Sequence, residues 1–255
     1  MGMIIVPQDL ISEIEADSED AEFPATSMLN AHCREAWAAA AGVYSATINI
    51  KTIGAAANSL MLYYLLGGSV TITVYDDVDM GGAVIAGPTT TDLLETDSYY
   101  TNEVQIPGVW MAYTSPGVPH SIKVAITRTG AVPEIGRAFA GKRWAMSSKI
   151  NWGLGRNPED HSIIYDLDDG YEYIYQRNIR RIYSADMTIR GKPPTEYFTF
   201  LHMMEQIGPN PVPVVMDSDA TPIYRYLMYG RITDVKGTEA KYNTSNIAFS
   251  LKEYL

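Results

Sequence analysis

The hydrophobic pattern in the first half of the chain is typical of short β-strands. Residues 45–50 and 69–75 alternate polar and apolar positions, and residues 59–66 form a nearly continuous apolar run before the turn-forming pair Gly67-Gly68. Alternation indicates strands with one buried face, and many short strands joined by turns indicate a sandwich or jelly roll. Residues 30–41 alone in this half have a helix-like pattern, so we expect a short packed helix there.

The second half of the chain predicts a hairpin, one helix and several strands. Residues 162–165 and 171–175 flank a turn rich in Asp and Gly, which predicts the hairpin. Apolar residues at helical spacing follow Pro194 and end before Gly208-Pro209, which predicts one amphipathic helix. Strands are predicted at residues 181–190, 212–217, 223–234 and 246–254. We therefore predict a mainly β protein, with an N-terminal β-sandwich followed by a β-barrel-like domain that has one packed helix.

Acidic residues are concentrated in the first half of this 255-residue chain. Up to residue 130 the chain has 4 Lys and Arg residues against 15 Asp and Glu residues, whereas the remainder has 15 of each. Together with the turn-like residues 128–133, this change predicts two domains, residues 1–130 and 131–255. The net charge of −11 argues against non-specific nucleic-acid binding, which needs Lys and Arg to neutralise phosphates.

The sequence does not contain the motif of a catalytic, metal or cofactor site. Cys33 is the only cysteine, which excludes an intramolecular disulfide and a Cys-rich metal site. The four histidines lack metal-ligand spacing, and there is no Walker loop, dinucleotide fingerprint or nucleophile elbow. Two Asp clusters, at residues 76–79 and 166–169, could ligate calcium, but tight turns need the same residues, and we favour turns. We expect no enzymatic activity and no cofactor.

Neither a membrane span nor a secretory signal is indicated by the sequence. There is no run of eighteen apolar residues, and residues 1–9 lack a basic region followed by a long apolar one. We therefore expect no membrane insertion.

Two groups of residues are candidates for a subunit interface, a tyrosine row and an arginine cluster: Tyr171, Tyr173, Tyr175, Arg177, Arg180 and Arg181. The tyrosines share one face of a predicted strand, where they could fill an interface, stack on sugar rings or belong to the core. The arginines could meet an acidic face of another subunit or be ordinary surface charge.

The first half contains a distinctive order of segments: Phe23-Pro24-Ala25-Thr26-Ser27-Met28-Leu29-Asn30, then Trp37 with the strand at residues 46–50, then the closing segments Val109-Trp110-Met111 and His120 to Thr127. Over residues 20–130 this order resembles a discoidin-type, galactose-binding-like jelly roll. It implies a sandwich and the possibility of a bound glycan. Trp37 and Trp110 are then the candidates for stacking on a sugar.

The second half combines residues 135–141, predicted strands at 183–190, 212–217 and 224–231, and the predicted helix at 194–207. Together with the motif at residues 23–30, these segments resemble structural proteins from the tails of bacteriophages, and they are similar to the barrel-plus-helix unit of tail-tube and distal-tail proteins. Those proteins assemble as hexameric rings. The resemblance therefore implies a ring-forming subunit that carries an outward jelly roll.

Our leading hypothesis is a structural virion protein at the distal tail, tail tip or baseplate of a tailed phage. It would form or join a hexameric ring with other tail proteins, be present in host cytoplasm during assembly, and link the tail tube to tip or host-recognition proteins. The alternative is a carbohydrate-binding module that attaches to a host-surface glycan. A tail-associated hydrolase ranks third, because the sequence does not point to a pair of acidic residues for catalysis.

Overall fold

A computed structural model shows the architecture of the chain. The residues that it describes are 2–54, 56–96, 103–105, 108–148, 150–151, 155–159, 163–166, 172–175, 180–190, 195–220, 223–241 and 244–254. Among them lie one α-helix, α1 (Thr195–Ile207), and two 3₁₀ helices, Ala25–Leu29 and Ile223–Tyr226. The strands in chain order are β1 (Ile4–Ile5), β2 (Ile11–Ala16), β3 (Trp37–Ala38), β4 (Ser45–Thr52), β5 (Ser59–Leu66), β6 (Ser69–Tyr75), β7 (Val84–Asp92), β8 (Leu94–Thr96), β9 (Glu103–Gln105), β10 (Gly108–Ala112), β11 (Ser121–Thr127), β12 (Glu134–Gly141), β13 (Trp144–Ala145), β14 (Gly155–Glu159), β15 (Ile163–Asp166), β16 (Glu172–Tyr175), β17 (Arg180–Arg190), β18 (Val212–Val215), β19 (Leu227–Lys241) and β20 (Thr244–Glu253). The predicted mainly β fold with one helix is confirmed.

Two antiparallel sheets form the predicted sandwich. The outer sheet has the strand order β2-β4-β11-β6-β7, and the inner sheet has the order β10-β5-β12-β3. In β4 the side chains of Ala46, Ile48 and Ile50 are buried, while Ser45 on the opposite face is exposed. The period-two pattern of the sequence therefore supplies one apolar face per strand, and the two faces enclose the sandwich core.

The predicted short helix at residues 30–41 is wrong. The one helical turn in this region, Ala25–Leu29, precedes that segment, and Trp37 and Ala38 form the short strand β3 on the edge of the inner sheet. The alanines that suggested a helix instead allow the backbone to approach β12, where Ala38 pairs with Glu134 and Trp37 with Ile135. Tertiary contact overrides helix propensity here.

The second unit is a seven-stranded sheet packed by α1, and we call it the C-terminal sheet. Its strand order is β13-β1-β18-β19-β20-β17-β14. Tyr197, Phe200, Met203 and Ile207 of α1 are buried against one face of this sheet, so the predicted amphipathic helix is confirmed. Over the described residues, β13 and β14 are the two edges and do not pair with each other, so the sheet is open where a barrel was predicted.

The strand pairing crosses the predicted division at residue 130 in both directions. β12, which follows residue 130, pairs with β5 inside the sandwich. β1, at the start of the chain, pairs with β13 and β18 in the C-terminal sheet. The sandwich and the C-terminal sheet are therefore interleaved along the sequence and do not follow one another as two separate segments.

The predicted hairpin in the second half is confirmed. β15 and β16 pair antiparallel, with Tyr165 opposite Tyr173 and Ile163 opposite Tyr175. The turn between these two strands lies outside the described residues.

Candidate binding groove

A groove of about 650 Å³ lies beside the edge of the inner sheet. Its lining combines aromatic, charged and small residues: Asp20, Phe23, Arg34, Ala36, Ala38, Ala39, Ala41, Tyr64, Val132 and Glu134. We call it the sandwich groove. Four separate segments of the chain supply these residues, so the groove exists only in the folded sandwich.

Backbone hydrogen bonds to β3 hold one side of the sandwich groove in place. The Asp20 N–H donates to the carbonyl of Ala38 at 2.9 Å, and the Ala38 N–H donates to the carbonyl of Phe23 at 3.2 Å. The turn between them closes through a 3.0 Å bond from the Phe23 N–H to the Asp20 carbonyl. On its other edge, Ala38 pairs with Glu134 of β12. Asp20 and Phe23 therefore lie on one side of β3 and Glu134 on the other.

The alanines that line the groove, Ala36, Ala38, Ala39 and Ala41, carry no side chain beyond Cβ and therefore fill little of it. Around them, Phe23 is 44% exposed and Tyr64 is half-buried. Asp20 and Glu134 offer carboxylates, and the exposed Arg34 offers a guanidinium. Aromatic faces bind apolar C–H surfaces, while carboxylates and guanidinium groups bind hydroxyl groups. This combination suits a ligand that is apolar on its faces and polar at its edges.

A second cluster of buried groups joins the inner sheet to the C-terminal sheet, and we call it the junction. Its apolar part contains Met61, Tyr63 and Phe139 from the sandwich, packed on Val215 and Leu227 from the C-terminal sheet. The cluster is contiguous across both units, so the two pack directly on each other.

The polar part of the junction is centred on Glu253, which is 6% exposed. Tyr63 Oη donates a 2.5 Å hydrogen bond to Glu253 Oε1, and Arg181 Nη2 donates to the same oxygen at 2.7 Å. Arg181 Nη2 also donates to Tyr63 Oη, and the Arg181 backbone N–H donates to Glu253 Oε2 at 2.9 Å. Burial raises the pKa of Glu253, but the hydrogen bonds and charge of Arg181 outweigh it, so the pKa is lower than usual.

Arg137 and Cys33 complete the buried groups near the junction. Arg137 forms a 2.5 Å ion pair with Asp9 and donates a 2.7 Å hydrogen bond to the carbonyl of Met28. Burial raises the pKa of Asp9 above its usual value, although the Arg137 charge acts in the opposite direction. Burial also raises the pKa of Cys33 to about 12, so this thiol stays protonated at neutral pH.

Neither predicted sugar-stacking tryptophan lines the sandwich groove. Trp37 is 0% exposed and belongs to the sandwich core, so its assignment as a stacking residue is wrong. Its strand is only two residues long, yet the indole points inward, where a ligand has no access. Trp110 is half-buried in β10 and packs against the apolar part of the junction.

The predicted interface residues are only partly within the described chain. Tyr171 and Arg177 lie outside it, and Tyr173, Tyr175 and Arg180 are placed by backbone alone, in β16 and at the start of β17. Arg181 is placed with its side chain, which is committed to Glu253 and Tyr63 of the same chain. The ion pair with Glu253 leaves the Arg181 side chain 17% exposed, so this guanidinium is already paired within its own chain and its predicted place in a subunit interface stays a prediction.

Sequence reasoning missed the residues that line the groove. In the sequence, Phe23 belongs to the motif at residues 23–30 and Tyr64 to the apolar run at residues 59–66, and neither pattern indicates a groove. The one signal in the sequence is an aromatic residue, Phe23, directly after the acidic segment at residues 13–22.

The described part of the chain offers no cluster of three or more His, Cys, Asp or Glu side chains that could hold a metal ion. Within the same residues, no helix is long and apolar enough to cross a membrane.

The sequence matches no protein-family model and no curated protein sequence. Solved structures share similarity with about half of it. One is a chitosan-binding module of a chitosanase/glucanase from Paenibacillus sp. IK-5, with 20% identity and a TM-score of 0.38, which covers 52% of this chain and 96% of that module.

Two further solved structures are similar over a comparable extent. A reduced XRCC1 bound to the DNA polymerase β catalytic domain has 13% identity and a TM-score of 0.38, covering 54% of this chain and 98% of that chain. A pectin-binding carbohydrate-binding module has 12% identity and a TM-score of 0.35, covering 55% of this chain and 95% of that one. Similarity at this level does not establish a shared function, and the sandwich fold rests on the strand pairing given above.

Proposed function

We propose that the chain is a non-enzymatic binding protein whose sandwich groove takes a saccharide. The observation that carries the proposal is the groove itself, about 650 Å³ in volume, with Phe23 and Tyr64 beside Asp20, Glu134 and Arg34. A sugar ring has apolar C–H faces and hydroxyl edges, and this lining offers a partner for each. Concave sites with a few placed polar groups are the usual form of a small-ligand site.

Charge indicates which saccharides the groove accepts. The first 130 residues hold 15 acidic and 4 basic residues, and the groove has two carboxylates and one guanidinium. An anionic saccharide approaches such a surface against a repulsive field, whereas a neutral one does not. We therefore propose neutral host-surface glycans as the ligands.

A glycan array with the purified full chain tests this function. We expect binding to a set of neutral oligosaccharides, and Phe23→Ala to weaken it about tenfold, which corresponds to about 1.4 kcal/mol. The matched control is Phe198→Ala on α1, since Phe198 is 53% exposed and lies in the other unit. Equal loss in both variants, or no binding by the unchanged protein, would contradict the proposal.

A second candidate function is a ring-forming structural protein of a phage tail. It is favoured by the resemblance of the second half to tail-tube and distal-tail proteins, and the helix-packed C-terminal sheet is compatible with it. Both functions are compatible, since a ring subunit could present the sandwich outward. Negative-stain imaging at high protein concentration tests the ring, and closed six-fold particles are the expected result.

Variants of the arginine cluster refine that test. Arg177→Glu with Arg180→Glu is the suitable pair, because Arg181→Glu would place a second carboxylate beside the buried Glu253 and destabilise the junction. We expect the double variant to remain folded and to lose assembly. Rings of unchanged stability would remove these two residues from the proposed interface.

A further inference from the structure

The backbone at Tyr64 departs from the strand that contains it. Its φ is 56°, in the left-handed region, which bulky residues rarely adopt. The neighbours on either side are in normal register with β12, with Tyr63 opposite Arg137 and Leu65 opposite Ile135. The conformation is therefore confined to one residue in an otherwise regular strand.

This departure breaks the alternation of β5. Leu60, Leu62 and Leu65 face the sandwich core, whereas Met61 and Tyr63 face the junction. Core positions would fall on residues 60, 62 and 64 in a regular strand, but the third is displaced to 65. Tyr64 is thereby kept out of the sandwich core and lines the groove. A strained residue held at a concave site is a common sign of function.

Gly136 lies opposite Tyr64 and leaves room for the same arrangement. A Cβ at Gly136 would lie 2.1 Å from the carbonyl oxygen of Cys33 and 2.8 Å from Cβ of Tyr64. Two elements of the groove therefore lie close to this one position: the backbone of Cys33, next to Arg34, and the Cβ of Tyr64. Any side chain here would push both away.

We propose that Tyr64 is the specificity-determining platform of the sandwich groove and that Gly136 is its positioning residue. The inference rests on the proposed saccharide binding and names the residue on which the sugar ring stacks. Phe23, 44% exposed on the other side of the alanines, then acts as a secondary contact. The strain at Tyr64 is retained because it presents the ring to the ligand.

Tyr64→Asn separates binding from folding, because Asn is one of the few residues with a side chain that tolerate the left-handed region. The probes are cellohexaose and N-acetylchitohexaose, titrated calorimetrically into the full chain. We expect affinity for the hexasaccharide that the unchanged protein binds to fall at least tenfold, with the Tm held within a few degrees. Tyr64→Phe retains the ring and is expected to retain affinity within threefold. A loss as large as that of Tyr64→Asn would assign the contact to the hydroxyl and overturn the stacking role of the ring.

Gly136→Ala tests the positioning role by two readouts, hydrogen exchange in the free protein and hexasaccharide binding. We expect faster amide hydrogen exchange in residues 31–36 and loss of hexasaccharide binding, although Tyr64 is unchanged. Unaltered exchange, or Tyr64→Asn binding as tightly as the unchanged protein, would overturn this inference and leave saccharide binding intact. If the unchanged protein binds neither hexasaccharide nor any array glycan, the proposed function fails and this inference fails with it.

Discussion

The two faces of strand β5 border two regions built in different ways. On one face, Leu60 and Leu62 enter a sandwich core made almost entirely of aliphatic residues. On the other, Tyr63 enters the junction, where Glu253 and Arg181 are buried as a hydrogen-bonded ion pair. Apolar packing tolerates many arrangements of similar volume, whereas a buried ion pair is satisfied by one geometry. We infer that the sandwich core supplies stability and that the junction fixes how the two units sit.

The largest effect is expected from removing one partner at the junction. Glu253→Ala leaves the Arg181 guanidinium buried without its carboxylate, which costs about 3–5 kcal/mol of unfolding free energy. Urea denaturation followed by circular dichroism measures it. Arg181→Met combined with Glu253→Met should cost less than Glu253→Ala alone, because no charge is left unpaired. A double variant at least as unstable as the single one would contradict the view that the pair fixes geometry rather than stability.

Truncation of a side chain in the sandwich core should lower the unfolding free energy by a comparable amount, but through a cavity and not through an unpaired charge. Leu62→Ala creates a cavity at a side chain that is 0% exposed, at a cost of about 2–5 kcal/mol. The matched control Leu62→Met nearly conserves volume and should cost less than about 1.5 kcal/mol. The same denaturation experiment measures both. Equal losses for Ala and Met would show that this core is as geometrically demanding as the junction.

His120 is a polar residue buried inside the mostly aliphatic sandwich, and its protonation is expected to have the smallest of these effects on stability. It is 0% exposed, and its Nε2 lies 2.8 Å from Tyr113 Oη and its Nδ1 3.1 Å from the carbonyl of Val118. Burial lowers the pKa of His120 below its usual value of 6.5, although the bond to Val118 acts in the opposite direction. The unfolded chain therefore takes up a proton at a higher pH than the folded protein does.

Because of this difference, the stability that neutral His120 contributes should be fully present above pH 6.5. It should be lost as the pH falls through the lowered pKa of His120 in the folded protein. The slope contributed by one group is at most about 1.4 kcal/mol per pH unit. Thermal unfolding between pH 7.5 and 5 measures it, with His120→Gln as the control that should flatten this window. Glu253 acts in a separate pH range. Its pKa is lowered in the folded protein, so the stability that its ionised carboxylate contributes is lost only below pH 4.5. A profile unchanged by His120→Gln would assign the pH dependence to other groups.

Local patterns in the sequence were sufficient for much of the fold. The alternation at residues 45–50 predicts β4, and the spacing of Tyr197 and Ile207 predicts α1, because each element buries one face. The groove and the junction were not predictable in this way. Glu253 and Tyr63 are far apart in sequence, and no local period records that they meet. The error at Trp37 has the same origin, since a two-residue strand carries too little pattern to show which way its side chains point.

The position of β1 has a consequence for synthesis of the chain on the ribosome. Ile4 and Ile5 lie between β13 and β18, paired with Trp144 and Ala145 on one side and with Val214 and Val215 on the other. These partners are translated long after residues 4–5. The apolar strand β1 therefore lacks both of its neighbouring strands until residues 214–215 have been translated. Long-range pairing of this kind is slow and exposes the nascent chain to aggregation. The C-terminal sheet, which combines β1 with strands from the far end of the sequence, is therefore expected to form late.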